Sequence, residues 1–250
     1  TGHLIALVRR GMARSQAAER TTDSRIPLPA SAVLSILANA LAAPVLSDPT
    51  REAARLRRAF SVTLAFLFMG RQDSTTLLRS SDFGIDSAYL WLRLTEKQRK
   101  HVSTRRIVRI PVAPPPSNNV PSAIPQIVRL AHMYMSAKTE LGEPTQYLFQ
   151  LPQDRPPTTA DMSTWVAQAL RHCGISAPKG FAYLGHSIRS GASSAAEAIK
   201  VPRIRGDWLG GWAPGTSTRA KHYIDPTVGP SAEAFALLGW LLDHEYQVHD

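Results

Sequence analysis

Only one cysteine, Cys173, occurs in 250 residues, so the chain cannot close a disulfide on itself and has no CxxC spacing for a zinc or dithiol centre. Cys173 falls in a helical pattern and reads as a packing residue, not a nucleophile. His132, Met133, Met135 and His172 share no metal-ligand spacing and read the same way, so no metal is expected. No apolar run approaches the roughly 20 residues that cross a bilayer, and no basic-then-apolar leader opens the chain. The expectation is a soluble, intracellular protein without a membrane partner: nuclear in a eukaryote, in the cytoplasm or nucleoid of a bacterium or phage. GxGxxG, Walker and GxSxG motifs are absent, as are internal repeats, which leaves dinucleotide, phosphate-loop and serine-hydrolase chemistry without a motif. Acids are scarce: 19 Asp and Glu stand against 29 Lys and Arg, for a net charge of +10 and a pI near 10.2. A polyanion partner fits that balance, although a solvated basic surface produces the same count.

The 44% of hydrophobic residues is enough for a real core, and the length suits one large domain or two small ones. The chain opens on Thr rather than Met, which suggests a fragment of a longer protein. Gly2 to Ala18 reads as a helix carrying Arg9, Arg10 and Arg14, and the polar ERTTDSRIPLP that follows reads as a linker. A helix is expected from Ser31, as N-cap, to about Ala42. A second runs from the Asp48-Pro49 cap to about Met69, apolar almost all round in its later part and therefore the central core helix. Residues Ile85 to Thr95 alternate as a strand and Arg105 to Val112 form its return. Between Arg93 and Arg109 lie seven Lys or Arg and one acid. After the Pro-rich APPPSNNVPS come helices over Ile124–Leu141 and Ala160–Cys173, and a last helix over SAEAFALLGWLLDHEYQ. The expected class is α+β, mostly helical, with a small antiparallel sheet or β-hairpin.

Chemistry concentrates between Gly185 and Tyr223. His186 and Arg189 stand three apart at the start of a helical run and so share a face. Trp212 follows Gly210-Gly211, and Tyr223 is flanked by Arg219, Lys221 and His222. A forked cation, a proton carrier and a phenol together suit attack on a phosphodiester. The arginine holds the non-bridging oxygens, the histidine takes the phenolic proton, and the phenolate is the nucleophile.

At His186-Ser187-Ile188-Arg189, Leu209-Gly210-Gly211-Trp212 and Tyr223, the sequence resembles the catalytic domain of the tyrosine recombinases, the phage-integrase family. That signature begins with an early Arg, matched by Arg71 in GRQDSTTLLRSSDF, where Leu78 and Asp82 fill the following turn and Ser74 replaces an acidic residue. It continues with a hairpin Lys, for which Lys97 is the first choice and Lys100 the alternative. The segment between Trp212 and Tyr223 is slightly longer than the family norm. The resemblance implies residues 1–25 as the end of an upstream core-binding domain plus linker, and 26–250 as the catalytic domain. It implies a site-specific recombinase or integrase that cleaves and rejoins double-stranded DNA through a 3′-phosphotyrosine at Tyr223, with no cofactor. Arg71 and Arg189 would clamp the phosphate, Lys97 would protonate the leaving oxygen, His186 would act as acid and base, and Trp212 would pack beside the phosphate. Arg93, Arg99, Lys100, Arg105, Arg106, Arg219 and Lys221 are the candidate DNA-binding cations. The last helix is expected either to pack on its own core or, as in the family, to dock on a neighbouring protomer in a homo-oligomer, a tetramer on DNA. Alternatives are a type IB topoisomerase or telomere resolvase, or a recombinase-derived DNA-binding protein without activity. The YIDPTV sequence that begins at Tyr223 is similar to recombinases of DIRS-like and other mobile elements.

Overall fold

The computed structural model describes residues 24–97, 103–142, 146–151, 155–213 and 216–243, without side chains at 24, 95–97 and 103–105. In chain order the elements are β1 (Ser24–Arg25), α1 (Ala30–Ala42), α2 (Pro49–Leu67), α3 (Gln72–Thr76), β2 (Phe83–Ile85), β3 (Tyr89–Lys97), β4 (Ser103–Pro111), α4 (Ile124–Glu140), α5 (Thr159–His172), β5 (Phe181–Ala182), α6 (Gly185–Ala198), α7 (Arg203–Gly210), α8 (Thr218–His222) and α9 (Ala232–Leu238), with 3-10 turns at Ser80–Asp82 and Gly239–Leu242. The class is α+β and mostly helical. The expected helix over residues 2–18 lies outside the described residues.

Helix α2 is the axis of the domain. Asp48 caps it by accepting from the amides of Thr50 and Arg51, and Pro49 enters at N1, where its missing N–H is no loss. From Ala59 to Leu67 every side chain is buried, and α1, α3, α4, α5 and α6 all pack against this helix. Its two inner hydroxyls are satisfied locally, Thr63 donating to the Ala59 carbonyl and Ser61 to that of Arg58, so neither is left open. Phe60 centres an aromatic cluster with Phe83, Phe149 and Tyr134 at centroid distances of 5.4, 5.6 and 5.8 Å. The Tyr134 hydroxyl donates to the Leu148 carbonyl at 2.7 Å, giving the buried ring's polar end a partner.

The expected first strand is two strands. Asp86 accepts from the amides of Ala88 and Tyr89 and turns the chain, so β2 pairs back on β3 and the sheet is the antiparallel meander β2-β3-β4. Leu90, Leu92 and Leu94 face the core opposite Ile110, Val108 and Arg106, while Tyr89 and Ile107 face out. The first helix begins one residue earlier than its sequence suggests, after Pro29, and Ser31 is not its cap.

A second, two-residue sheet joins β1 to β5 in parallel, with Ser24 opposite Phe181 and Arg25 opposite Ala182. The Leu28 amide donates to the Ser187 carbonyl at 2.8 Å. Gly191, one turn further along α6, lets the chain pass at this closeness, because a Cβ there would meet the Leu28 carbonyl oxygen. The folded unit therefore takes in Ser24 and Arg25, which sequence reading places in the linker.

The C-terminal helix is also shorter than expected. It breaks at Gly239 into a 3-10 turn, and Leu237, Leu238, Trp240 and Leu241 are buried in the chain's own core. Arg205 ties the end down by donating to the carbonyls of Leu241 and Asp243. Of the two expectations for this segment, packing on its own core is the one that the described part, through Asp243, displays. Leu241→Ala should cost about 2 to 5 kcal/mol. Thermal melts should show a loss in Tm that does not depend on protein concentration; a loss confined to high concentration would restore docking between copies.

Candidate active site

The end of α2 builds the first wall. Met69 adopts φ 49°, the left-handed conformation that usually belongs to glycine at a helix end, and the Gly70 amide closes the turn onto the Ala65 carbonyl at 2.8 Å. This turn presents the Met69 carbonyl to Arg189, whose Nη1 donates to it at 2.6 Å. Nη2 of the same guanidinium donates to the Gly210 carbonyl at the end of α7, at 2.7 Å. Arg189 is 2% exposed and its Cζ lies 3.8 Å from the centre of the Trp212 ring.

Gly210 and Gly211 make that stack possible. Gly211 takes the left-handed φ of 68°, and a Cβ on Gly210 would fall inside the Trp212 ring. Trp212, buried, meets the Tyr223 ring edge-on at 5.2 Å, and on another side of that phenol lies His186, with ring centroids 5.1 Å apart. Arg189 Cζ is 5.1 Å from the Tyr223 ring. Four residues from three stretches of sequence thus form one contiguous group.

Burial brings the Arg189 pKa down to about 10, with the Tyr223 phenol pulling it up and the charges of Arg71 and Arg106 pushing it down. The guanidinium stays charged at neutral pH. His186 is lowered from 6.5 by burial, then by the charges of Arg25 and Arg189. Its imidazole is therefore mainly neutral at pH 7 and able to accept a proton. Cys173 is raised by burial, which suits a packing thiol.

Arg71 stands exposed at the N-cap of α3, and its carbonyl accepts from both the amide and the hydroxyl of Thr75. The next residue, Gln72, donates to the Thr159 carbonyl and the Ser163 hydroxyl, lacing this turn to α5. Arg71 and Arg189 share a cavity of about 550 Å³ with Arg79, Arg93, Arg106, Asp73 and Asp82, at the edge of β3 that β2 leaves uncovered. Arg93 lies 3.8 Å from Asp82.

Of the candidate DNA-binding cations, Lys221 is exposed on α8 and Arg93 is partly exposed at the cavity rim. Lys97 ends β3 opposite Ser103, but its side chain lies outside the described residues, as do the side chain of Arg105 and the whole of Arg99 and Lys100. Arg219 is a correction. It is 2% exposed, between Asp207 at 3.5 Å and Glu197 at 3.8 Å, and donates to the Ser193 carbonyl. Its sequence neighbours suggested a surface cation, but inside the chain it anchors α8 to α6 and α7. Its carbonyl accepts from the Tyr223 amide, so the anchor lies one turn before the phenol. Sequence reading also grouped Arg106 with the hairpin's outer charges; its parity with Val108 and Ile110 is the signal that places it inward.

Two outcomes follow from this electrostatics. Removing Arg219 leaves Asp207 without its buried counter-charge, so Arg219→Ala should lose about 3 kcal/mol or more of stability and leave the salt dependence of DNA binding unchanged. A shallower salt slope would mean that the guanidinium reaches phosphate after all. His186 titrates below its unfolded value, so the unfolded chain binds its proton first as pH falls. Stability from this residue declines from about pH 6.5 downward until the folded value is passed. Melts of His186→Gln across that range should therefore be less pH-dependent than wild type; equal slopes would contradict the burial of the ring.

Compared by sequence, the chain matches no protein-family model and no curated protein. Compared by structure, it is similar to XerH site-specific recombinase bound to palindromic difH substrate in a post-cleavage complex, with TM-score 0.54 and 13% identity over 75% of this chain and 46% of that one. It is similar to XerA recombinase, with TM-score 0.53 and 14% identity over 84% and 62%. A lambda integrase dimer bound to a COC′ core site gives TM-score 0.51 and 19% identity over 82% and 61%. The chain thus spans about half to three fifths of the length of these relatives. The likeness is one of architecture, and the described residues carry the fold of the tyrosine recombinase, or integrase, catalytic domain.

Proposed function

We propose that this chain is the catalytic part of a site-specific DNA recombinase or integrase that works through a covalent 3′-phosphotyrosine. The observation that supports this most is the Tyr223 phenol lying between the His186 imidazole and the Arg189 guanidinium, at 5.1 Å from each. In the proposed step the Tyr223 oxygen bonds to the scissile phosphorus while the bond from phosphorus to the 5′-oxygen breaks. His186, neutral at pH 7, takes the phenolic proton. Arg71 and Arg189 hold the non-bridging oxygens as charge builds on them. Lys97 gives a proton to the leaving 5′-oxygen, and the free 5′-hydroxyl of another strand reverses the sequence. The tyrosyl ester keeps the energy of the broken bond, so rejoining draws on no nucleotide.

Double-stranded DNA is the partner this reading requires. XerH and lambda integrase are each seen with DNA bound, and the basic balance of the present chain suits the same polymer. Strand exchange between two sites further requires several copies on DNA. Integration of a mobile element is the form of the reaction favoured by the YIDPTV sequence.

A nicked suicide duplex, which loses its short 5′-hydroxyl strand on cleavage, tests the reading directly. Wild-type protein should accumulate a covalent DNA adduct visible on a denaturing gel, and Tyr223→Phe should bind the duplex and form none. An adduct that persists in Tyr223→Phe would assign the nucleophile to another residue.

A further inference from the structure

The core-facing row of β4 reads Ile110, Val108, Arg106, opposite Leu90, Leu92 and Leu94. Its first two members are fully buried, and the third is a half-buried arginine where the core gives way to the cavity holding Arg71 and Arg189. On the far side, the Arg106 guanidinium lies 5.7 Å from the centre of the Trp208 ring. Trp208 belongs to α7, the helix whose end supplies the Gly210 carbonyl to Arg189. Arg106 is therefore held on the same helix that positions Arg189, and it enters the cavity from the sheet.

Among the described residues, five arginines and two aspartates line this cavity, and Asp82 lies 3.8 Å from Arg93. Arg71 and Arg106 both act on Arg189 as like charges. Guanidinium groups remain protonated in proteins, so this crowding is relieved by an anion and not by loss of a proton. A phosphodiester that becomes five-coordinate goes from one negative charge towards two, and a further fixed cation is worth most at that moment.

We propose that Arg106 is a third guanidinium on the scissile phosphate, reaching its non-bridging oxygens from the sheet side while Arg71 and Arg189 hold them from the helices. This rests on the reading under Proposed function. It goes further by giving β4 a phosphate ligand, separate from the hairpin lysine that serves the leaving oxygen.

The test uses the suicide duplex in two forms, one with an ordinary scissile phosphate and one with a methylphosphonate there, in which a neutral methyl replaces one charged oxygen. Arg106→Ala should slow adduct formation on the ordinary duplex by about 10²- to 10³-fold. On the methylphosphonate duplex its deficit relative to wild type should shrink below about 10-fold, since the charge that Arg106 meets has been removed. Arg106→Lys should recover part of the rate on the ordinary duplex. In a Tyr223→Phe background, where no chemistry occurs, Arg106→Ala should lower the slope of log K against log salt by about 0.9. Wild-type rates and an unchanged slope in Arg106→Ala would overturn the inference, as would an equal loss on both duplexes, which would mark a purely structural arginine. If wild type forms no adduct while the slope still falls with Arg106→Ala, the phosphate ligand stands and the cleavage reading fails.

Discussion

A guanidinium buried to 2% exposure, that of Arg189, is the constraint around which the domain closes. A charge removed from water is tolerable only where fixed dipoles and aromatic faces replace the water. Here the replacements are two backbone carbonyls and the Trp212 ring. Neither carbonyl comes from a regular part of a helix: one leaves the left-handed turn at Met69, the other the end of α7 just before the Gly211 turn. Helix ends carry carbonyls that lack a partner within the helix, and a buried cation is a strong partner for them. The ends of α2 and α7 are thereby fixed at one point, and α6, which carries His186, is fixed with them.

That arrangement also explains why the phenol sits where it does. Tyr223 follows α8, a helix of five residues, too short to hold its own position. Its place is set from outside: by Arg219 against Asp207 and Glu197, by the Trp212 edge, and by the Ser194 hydroxyl, which donates to the Tyr223 carbonyl at 3.3 Å. The phenol is thus presented by ion pairing and packing on α6 and α7, and its own helix contributes little stiffness.

Much of this was legible in the sequence because it depends on spacing. The i, i+3 relation of His186 and Arg189, the apolar run of α2, its Asp48-Pro49 cap and the Gly210-Gly211 turn each have a local cause that needs no knowledge of the rest of the chain. What was not legible depends on contacts between distant segments. Arg219 looks like any basic residue in STRAKH until α6 and α7 supply its carboxylates. The apolar last helix could face inward or outward on periodicity alone, and only the burial of Leu237 and Leu241 shows which. Asp86 turns the chain by accepting two amides, a local device hidden in what reads as continuous alternation. Arg106 was readable by strand parity, but the density of charge around it drew attention outward.

The pairing of β1 with β5 gives the domain a mechanical handle. Ser24 and Arg25 lie alongside Phe181 and Ala182, four residues before His186, and Leu28 is bonded to Ser187. Because the strands are parallel, a pull on the chain ahead of Ser24, resisted through the end of β5 that leads into α6, loads their hydrogen bonds in shear. The load is thereby carried to the first turn of the helix that bears the imidazole, and the same seam keeps the Arg25 charge close enough to lower the pKa of that ring.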